Sequence, residues 1–343
     1  MLRLYTNINF LTETYRKNVF PLLFDIHYLK NEGLSDYYKL VDTVESCDIV
    51  IFPIDYAKFI KERSAFLALQ KEAKTHHKPI WIYSGGDFGF TNYIKNSYTF
   101  RLGGFKSKLD EKTFIIPSFI NDPYTTQLEQ EYNALQKEEQ PTIGFVGHAQ
   151  SGLAKYLKEF VNHLKYQAKR KLNKLLADSQ SFYPSSIKRA QYLTKFSLSK
   201  GLKTNFILRD SYRAGVQTEE DKQRTTQEFY ENIFNNAYTF CIRGVGNFSV
   251  RLYETLAVGR IPIILNTDCK LPLSNSIDWS KHCIILEERK KISLEMQILE
   301  FHQSKTNEEF LEIQNSNREL WKTHLVRQAY FINIYNIFKQ SND

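Results

Sequence analysis

Four cysteines in 343 residues, at 47, 241, 269 and 283, make no Cys-x-x-Cys pair and no other metal-ligand spacing. This excludes a disulfide-stapled scaffold and fits reduced, structural thiols of a cytosolic protein. No Asp-x-Asp pair occurs anywhere in the chain, so the usual carboxylate pair for a bridging divalent cation is missing. Apolar runs of membrane-spanning length are absent. The first twenty residues scatter charge where a secretory signal would be apolar. The expectation is a cytoplasmic protein, soluble or peripheral at the cytoplasmic face of a membrane. No zinc finger, RNP-like strand or other nucleic-acid module occurs, so nucleic acid is not an expected partner.

What is present can fill two cores. Hydrophobic residues make up 42% of the chain, including 25 Phe, 21 Tyr and 3 Trp, and the length suits two α/β domains. Short apolar runs at Leu2 to Tyr5, Leu22 to Ile26, Ile49 to Ile54, Ile80 to Tyr83 and Phe114 to Ile116 alternate with helical patterns. Such alternation predicts a parallel sheet covered on both faces. The polar stretch from Thr125 to Glu139 reads as a helical connection that Pro141 ends. A new strand, Thr142 to Val146, then opens onto Gly147-His148-Ala149-Gln150-Ser151-Gly152, the first βα turn of a second Rossmann-like domain. The expected division is 1–124, a connection over 125–140, a nucleotide-binding domain over 141–306 and a helical segment over 307–343.

The densest signal runs from Tyr238 to Leu273. A short apolar strand ends in Arg243-Gly244-Val245-Gly246-Asn247, Ser249 stands at the N-cap of an amphipathic helix that Gly259 stops, and Ile261 to Leu265 forms another buried strand. Loop amides and a helix start attract anions, and Arg243 and Arg251 add full charges for phosphate oxygens. Arg243 is expected to be exposed in a cleft, and Glu254 to accept from ribose hydroxyls. Read singly, these are a surface turn with solvated arginines.

Together they resemble the exostosin-like glycosyltransferases. The matching residues are Arg243-Gly244, Ser249-Val250-Arg251-Leu252-Tyr253-Glu254, Gly259-Arg260-Ile261-Pro262-Ile263-Ile264, Leu271-Pro272 and Asp278-Trp279. Upstream, Cys47 to Pro53, Ser84 to Gly89 and Ile115-Ile116-Pro117 echo the family in order, although Gly86 stands where its loop has His. The resemblance implies an α/β protein of GT-B type, two Rossmann-like doubly wound domains facing a cleft, with the last helix crossing back to the first domain. It also implies an inverting sugar transfer.

A nucleotide-sugar donor and a glycan or lipid-linked glycan acceptor would be the partners, with no cofactor and no metal. Positive side chains and helix dipoles would stabilise the departing diphosphate. Asp87, at the turn after PIWIYS, either serves as the base or holds the turn through an Asx bond, with Asp55 and His27 as alternatives. His148 either meets a phosphate or acceptor or caps a helix, and Gly147 allows close backbone approach. Arg209 either faces the cleft as a donor contact or pairs with Asp210 on the surface, near Arg213. Two other readings stay open: a nucleotide-sugar epimerase on the same two-domain plan, and a non-catalytic polyanion-binding protein.

Charge is uneven. Between Lys155 and Arg213, 14 Lys and Arg face three acids, a net +11 against +8 for the whole chain. This stretch is either a solvated helix face or a surface for peripheral contact with an anionic membrane, a polyanionic glycan or, ranked last, nucleic acid.

Overall fold

The structure is a computed structural model that describes residues 1–210 and 215–340; Arg213 lies outside them. Its strands are β1 (Leu2–Tyr5), β2 (Tyr38–Leu40), β3 (Ile49–Ile51), β4 (Ile80–Ser84), β5 (Ser97–Arg101), β6 (Thr113–Ile115), β7 (Thr142–His148), β8 (Lys203–Arg209), β9 (Tyr238–Cys241), β10 (Ile261–Leu265) and β11 (Ile284–Leu286). The helices are α1 (Pro21–His27), α2 (Tyr56–Phe59), α3 (Arg63–Thr75), α4 (Pro123–Thr126), α5 (Leu153–Lys171), α6 (Ser185–Leu198), α7 (Glu219–Asn235), α8 (Val250–Val258), α9 (Leu294–Gln303), α10 (Asn307–Leu320) and α11 (Arg327–Gln340).

Two sheets form, ordered β2-β1-β3-β4-β5-β6 and β11-β10-β9-β7-β8. Every strand pair in both is parallel. The expected pair of parallel α/β units is therefore present. In the second sheet the chain winds outward from β7 to β8, then returns to β9 on the other side of β7. That reversal opens a crevice beyond the carboxyl ends of β7 and β9, where ligands of such sheets bind.

Two sequence expectations fail for identifiable reasons. Leu22 to Ile26 is helix α1, not a strand: Pro21 sits at the first helical position, where its missing N–H costs nothing, and a five-residue, mostly apolar run does not distinguish a strand from a buried turn of helix. The connection after Thr126 is irregular, not helical. Its backbone is bonded to the second unit instead. The Gln314 side chain donates to the Leu135 carbonyl at 2.8 Å and accepts from its N–H at 3.0 Å, and Arg260 donates to the Asn133 carbonyl at 2.9 Å. Strands β2 and β5 carry no apolar run, because Lys39 divides the first and Ser97 and Thr99 alternate through the second.

The last helices do cross back. A single π turn at Trp321–Leu325 joins α10 to α11. Phe338 of α11 then packs its ring on Trp81 at 4.7 Å and on Phe114 at 5.6 Å, both from the first sheet. Helix α8 of the second unit buries Leu252, Tyr253 and Leu256 in the same apolar cluster. The two units thus share a core.

A buried ion pair ties them on the cleft side. Arg101, at the end of β5, meets Asp178 at 2.8 Å with 3% and 25% of the two side chains exposed. Asp178 also accepts from the Thr91 N–H at 2.8 Å and its hydroxyl at 2.9 Å. Asp178→Ala would leave Arg101 buried without its counter-ion, so we expect a loss of about 3 kcal/mol, the low end for a broken buried pair because Asp178 keeps some water. Denaturant unfolding reads this, and an unchanged midpoint would show that the pair does not join the units.

Candidate active site

The loops after β7 and β9 flank the crevice. After β9, burial of all four strand residues brings the chain out at Arg243. Arg243 is 7% exposed, not open in the cleft as the sequence suggested. Its guanidinium lies 4.6 Å from the Tyr183 ring centroid and 5.4 Å from that of Phe105, so rings of both units cover it. Its bonds go to backbone carbonyls, Val245 at 2.7 Å and Gly244 at 3.3 Å.

Arg251 follows the same plan as the second residue of α8. It donates to the Val146 carbonyl at 2.6 Å and lies 4.2 Å from the Phe145 ring, while its buried Nε has no hydrogen-bond partner. The buried Tyr183 hydroxyl is likewise unpartnered. Among the described residues neither Arg243 nor Arg251 has an ion pair. Burial lowers the pKa of both, yet a guanidinium stays charged. Buried cations without counter-ions are costly, and an incoming anion would relieve that cost.

The start of α8 adds donors. Ser249 occupies its N-cap with extended backbone but makes no side-chain cap bond, so the first-turn amides are not capped from within. Gly259 ends the helix in the left-handed conformation at φ 74°, as the sequence indicated. Gly244 has open space where a side chain would stand, with nothing within 4 Å. A Cβ on Gly147 would come within 3.1 Å of the Arg251 guanidinium. Glu254 is half-buried, and burial pushes its carboxyl up to about 7 against the pull of Arg251.

The remaining expected contacts divide. Arg209, at the end of β8, is close enough to influence Arg251, but it is held by Glu228 at 2.5 Å and the Thr225 carbonyl at 2.9 Å, not by Asp210. His148 does not present a free ring. Its Nδ1 donates to the Arg209 carbonyl at 3.1 Å and its Nε2 accepts from Lys155 at 2.8 Å, which sets the tautomer. Lys155, in the first turn of α5, is thereby positioned beside the glycine loop; sequence reading passed over it as one of many lysines. Asn247 is buried and fully used as well. Its amide donates to the carbonyls of Gly104 at 3.3 Å and Thr267 at 2.9 Å and accepts from the Thr267 hydroxyl at 2.7 Å, so it fastens the loop instead of facing a ligand.

On the opposite side, Asp87 is exposed in the turn after β4. Its backbone carbonyl abuts Gly246, where a Cβ would collide with it. The chain thus brings Asp87 to the cationic loop. Asp55 caps α2, accepting from Lys58 N–H at 3.2 Å and Gly85 N–H at 2.7 Å. His27 ends α1, not a strand, with its ring edge-on to Tyr28 at 4.7 Å. A carboxyl that sequence reading missed is Asp25, fully buried in α1 beside Arg327 at 3.2 Å, where burial pushes it up to about 7. Among the described residues no group of three or more His, Cys, Asp or Glu could hold a metal ion.

Comparison with known proteins bears on this region. Residues 197–300 match the Exostosin GT47 domain. Exostosin-1 homolog of Caenorhabditis elegans is 30% identical over 116 residues, 32% of this chain and 29% of that protein. Bovine (Bos taurus) exostosin-1 is 30% identical over 121 residues, 34% of this chain and 15% of that protein. The chain thus spans less than a third of the curated relatives it matches. Among solved structures, a Rickettsia africae glycosyltransferase is similar over 97% of both chains at 11% identity and TM-score 0.39. WaaG, described as a glycosyltransferase involved in lipopolysaccharide biosynthesis, covers 92% of this chain with 81% of its own at 12% identity and TM-score 0.32.

Glu254 supplies a test of the burial. Its folded pKa lies above the ordinary carboxylate value, so the stability it contributes is complete in acid and is lost as pH rises through about 7. Glu254→Gln should therefore flatten the fall in melting temperature between about pH 5 and pH 8. A slope identical to that of the parent chain would place the carboxylate in water.

Proposed function

We propose that this chain, exostosin-like through its second unit, is a glycosyltransferase that takes a sugar from a nucleoside diphosphate and passes it to a glycan or lipid-linked glycan hydroxyl. One observation carries the reading: two arginines outside any ion pair, the buried Arg243 and the half-buried Arg251 with its buried, unpartnered Nε, stand at the topological switch point beside the start of α8, whose N-cap side chain makes no bond. That arrangement suits a diphosphate.

In this mechanism the diphosphate lies over Gly244, where the backbone is open, with Arg243, Arg251 and the α8 amides around its oxygens. Lys155, Gly147 and the loop before α5 lie on the other side of the crevice, and Arg209 supports the field from behind. Glu254 in its ionised form accepts from the ribose hydroxyls. As the acceptor hydroxyl attacks the anomeric carbon, the bond to the diphosphate breaks and charge grows on the leaving oxygens, which the cations stabilise in the place of a divalent metal. Asp87 takes the proton of the attacking hydroxyl, and displacement from the opposite face inverts the anomeric centre.

Calorimetric titration with nucleoside diphosphates in the presence of a chelator tests the donor site. Arg243→Met, which keeps bulk between the two rings, should weaken binding roughly 10- to 100-fold, the value of one or two charge-assisted hydrogen bonds. Gly244→Val should leave the melting temperature unchanged, since it meets open space, while abolishing binding. A folded Gly244→Val protein with intact affinity would remove the diphosphate from this loop.

Asp87→Asn should lower turnover by roughly 100-fold or more with donor affinity unchanged. Normal turnover would exclude Asp87 as the base. Conversion of the nucleotide sugar without any acceptor would point to an epimerase instead.

A further inference from the structure

Helix α5 is built inside out. Its 19 residues include no buried one; polar contacts from Tyr166 to the Asp178 carbonyl and from Gln167 to the Gln180 carbonyl at 2.7 Å hold it to the protein, with Phe182 against the Tyr156 and Phe160 rings. The apolar residues face outward. Leu153, Leu157, Phe160, Val161 and Leu164 are 38% to 74% exposed, and their spacing puts them on one stripe of the helix. Soluble proteins normally turn such a stripe toward the core, and a contiguous exposed one marks an interaction surface.

Charge identifies the partner. From 155 to 175 the chain carries seven Lys and Arg and one acid, Glu159. Lys158, Lys165 and Lys169 are exposed along one flank of the stripe, and Lys171 and Lys174 continue past its end with Leu172 and Leu175. An apolar stripe bordered by lysines matches the two layers of an anionic bilayer surface, acyl chains under phosphate headgroups. An acidic protein groove would need the lysines but not five adjacent exposed apolar side chains, and a second copy of this helix would set its lysines against one another.

We propose that α5 is a docking surface for an anionic lipid bilayer. The helix starts directly after the Gly147–Gly152 loop, and its Tyr166 ring lies 4.5 Å from Phe88, the neighbour of Asp87. Docking through α5 would therefore bring both edges of the cleft to the lipid surface, where a lipid-linked acceptor would be met. The docking itself does not rest on the transfer reading, because vesicle binding is read without donor or turnover.

The test is co-sedimentation of the whole chain with phosphatidylcholine vesicles, with and without roughly 30% phosphatidylglycerol, at low and high salt. We expect binding at least tenfold tighter, as an order of magnitude, to the anionic vesicles, falling with salt. The double variant Leu157→Asp/Leu164→Asp should lose it while keeping the parent melting temperature and nucleotide affinity, and Lys165→Glu/Lys169→Glu should lose the anionic preference. Absence of vesicle binding by the parent chain, or equal binding by the Leu157→Asp/Leu164→Asp variant, would overturn the proposal. So would a dimer in sedimentation velocity that this variant dissociates, since the stripe would then be a contact between copies.

Discussion

The site depends on a seam in which backbone touches backbone. The Arg243–Phe248 loop lies directly against the 85–105 region of the first unit, so close that a Cβ at Gly246 would strike the Asp87 carbonyl and one at Gly103 would stand 2.9 Å from the Asn247 carbonyl and the Phe248 side chain. Asn247 locks the seam by donating to Gly104 across it. Because the seam leaves no room for side chains, the loop cannot drift, and Arg243 is carried to one place between a ring from each unit. The shared apolar cluster and the Arg101 pair with Asp178 hold the same relation from either side.

Buried arginines serve two purposes here, and their partners distinguish them. Arg260 is fully buried and donates to the Phe234 and Asn133 carbonyls, and Arg318 pairs with Asp122 at 2.5 Å; both join chain segments that no regular structure connects. Arg318 keeps a buried Nε without a partner, but its charge is answered by the Asp122 carboxylate. Arg243 and Arg251 have carbonyls on one side and aromatic faces around them, with no carboxylate at ion-pair distance among the described residues, although Glu254 is near enough to act on Arg251. Aromatic faces stabilise a guanidinium only modestly, so neither cation is neutralised by a direct ion pair. The same composition, arginine in an apolar strand-and-helix context, thus gives a clamp in one case and a candidate anion site in the other.

Much of the second unit was legible before its structure. The strand ending at Cys241, the Gly-rich basic loop, Ser249 at a helix start, Gly259 at its end and the strand from Ile261 each follow from local preferences: apolar runs of strand length, a turn no regular structure continues, and a left-handed stop. The failures are equally local. The short, mostly apolar run after Pro21 fits a helix as well as a strand, and the 125–139 stretch had helix-forming composition whose backbone groups found partners in Gln314 and Arg260, residues far away in sequence.

What the sequence by itself determined is the parallel α/β character and the order of loop, helix and strand around Arg243, because these depend on periodicity and turn chemistry within a few residues. Tertiary structure alone decided which polar groups remain free. It withdrew His148 and Asn247 from the crevice by giving them partners from other segments, buried Arg243 instead of exposing it, and set Lys155 beside the glycine loop. It also turned the apolar stripe of α5 outward. The physical reason is the same in each case: a polar group is available only when no distant segment satisfies it, and a face is exposed only when no distant segment covers it, and neither condition is written in the neighbouring residues.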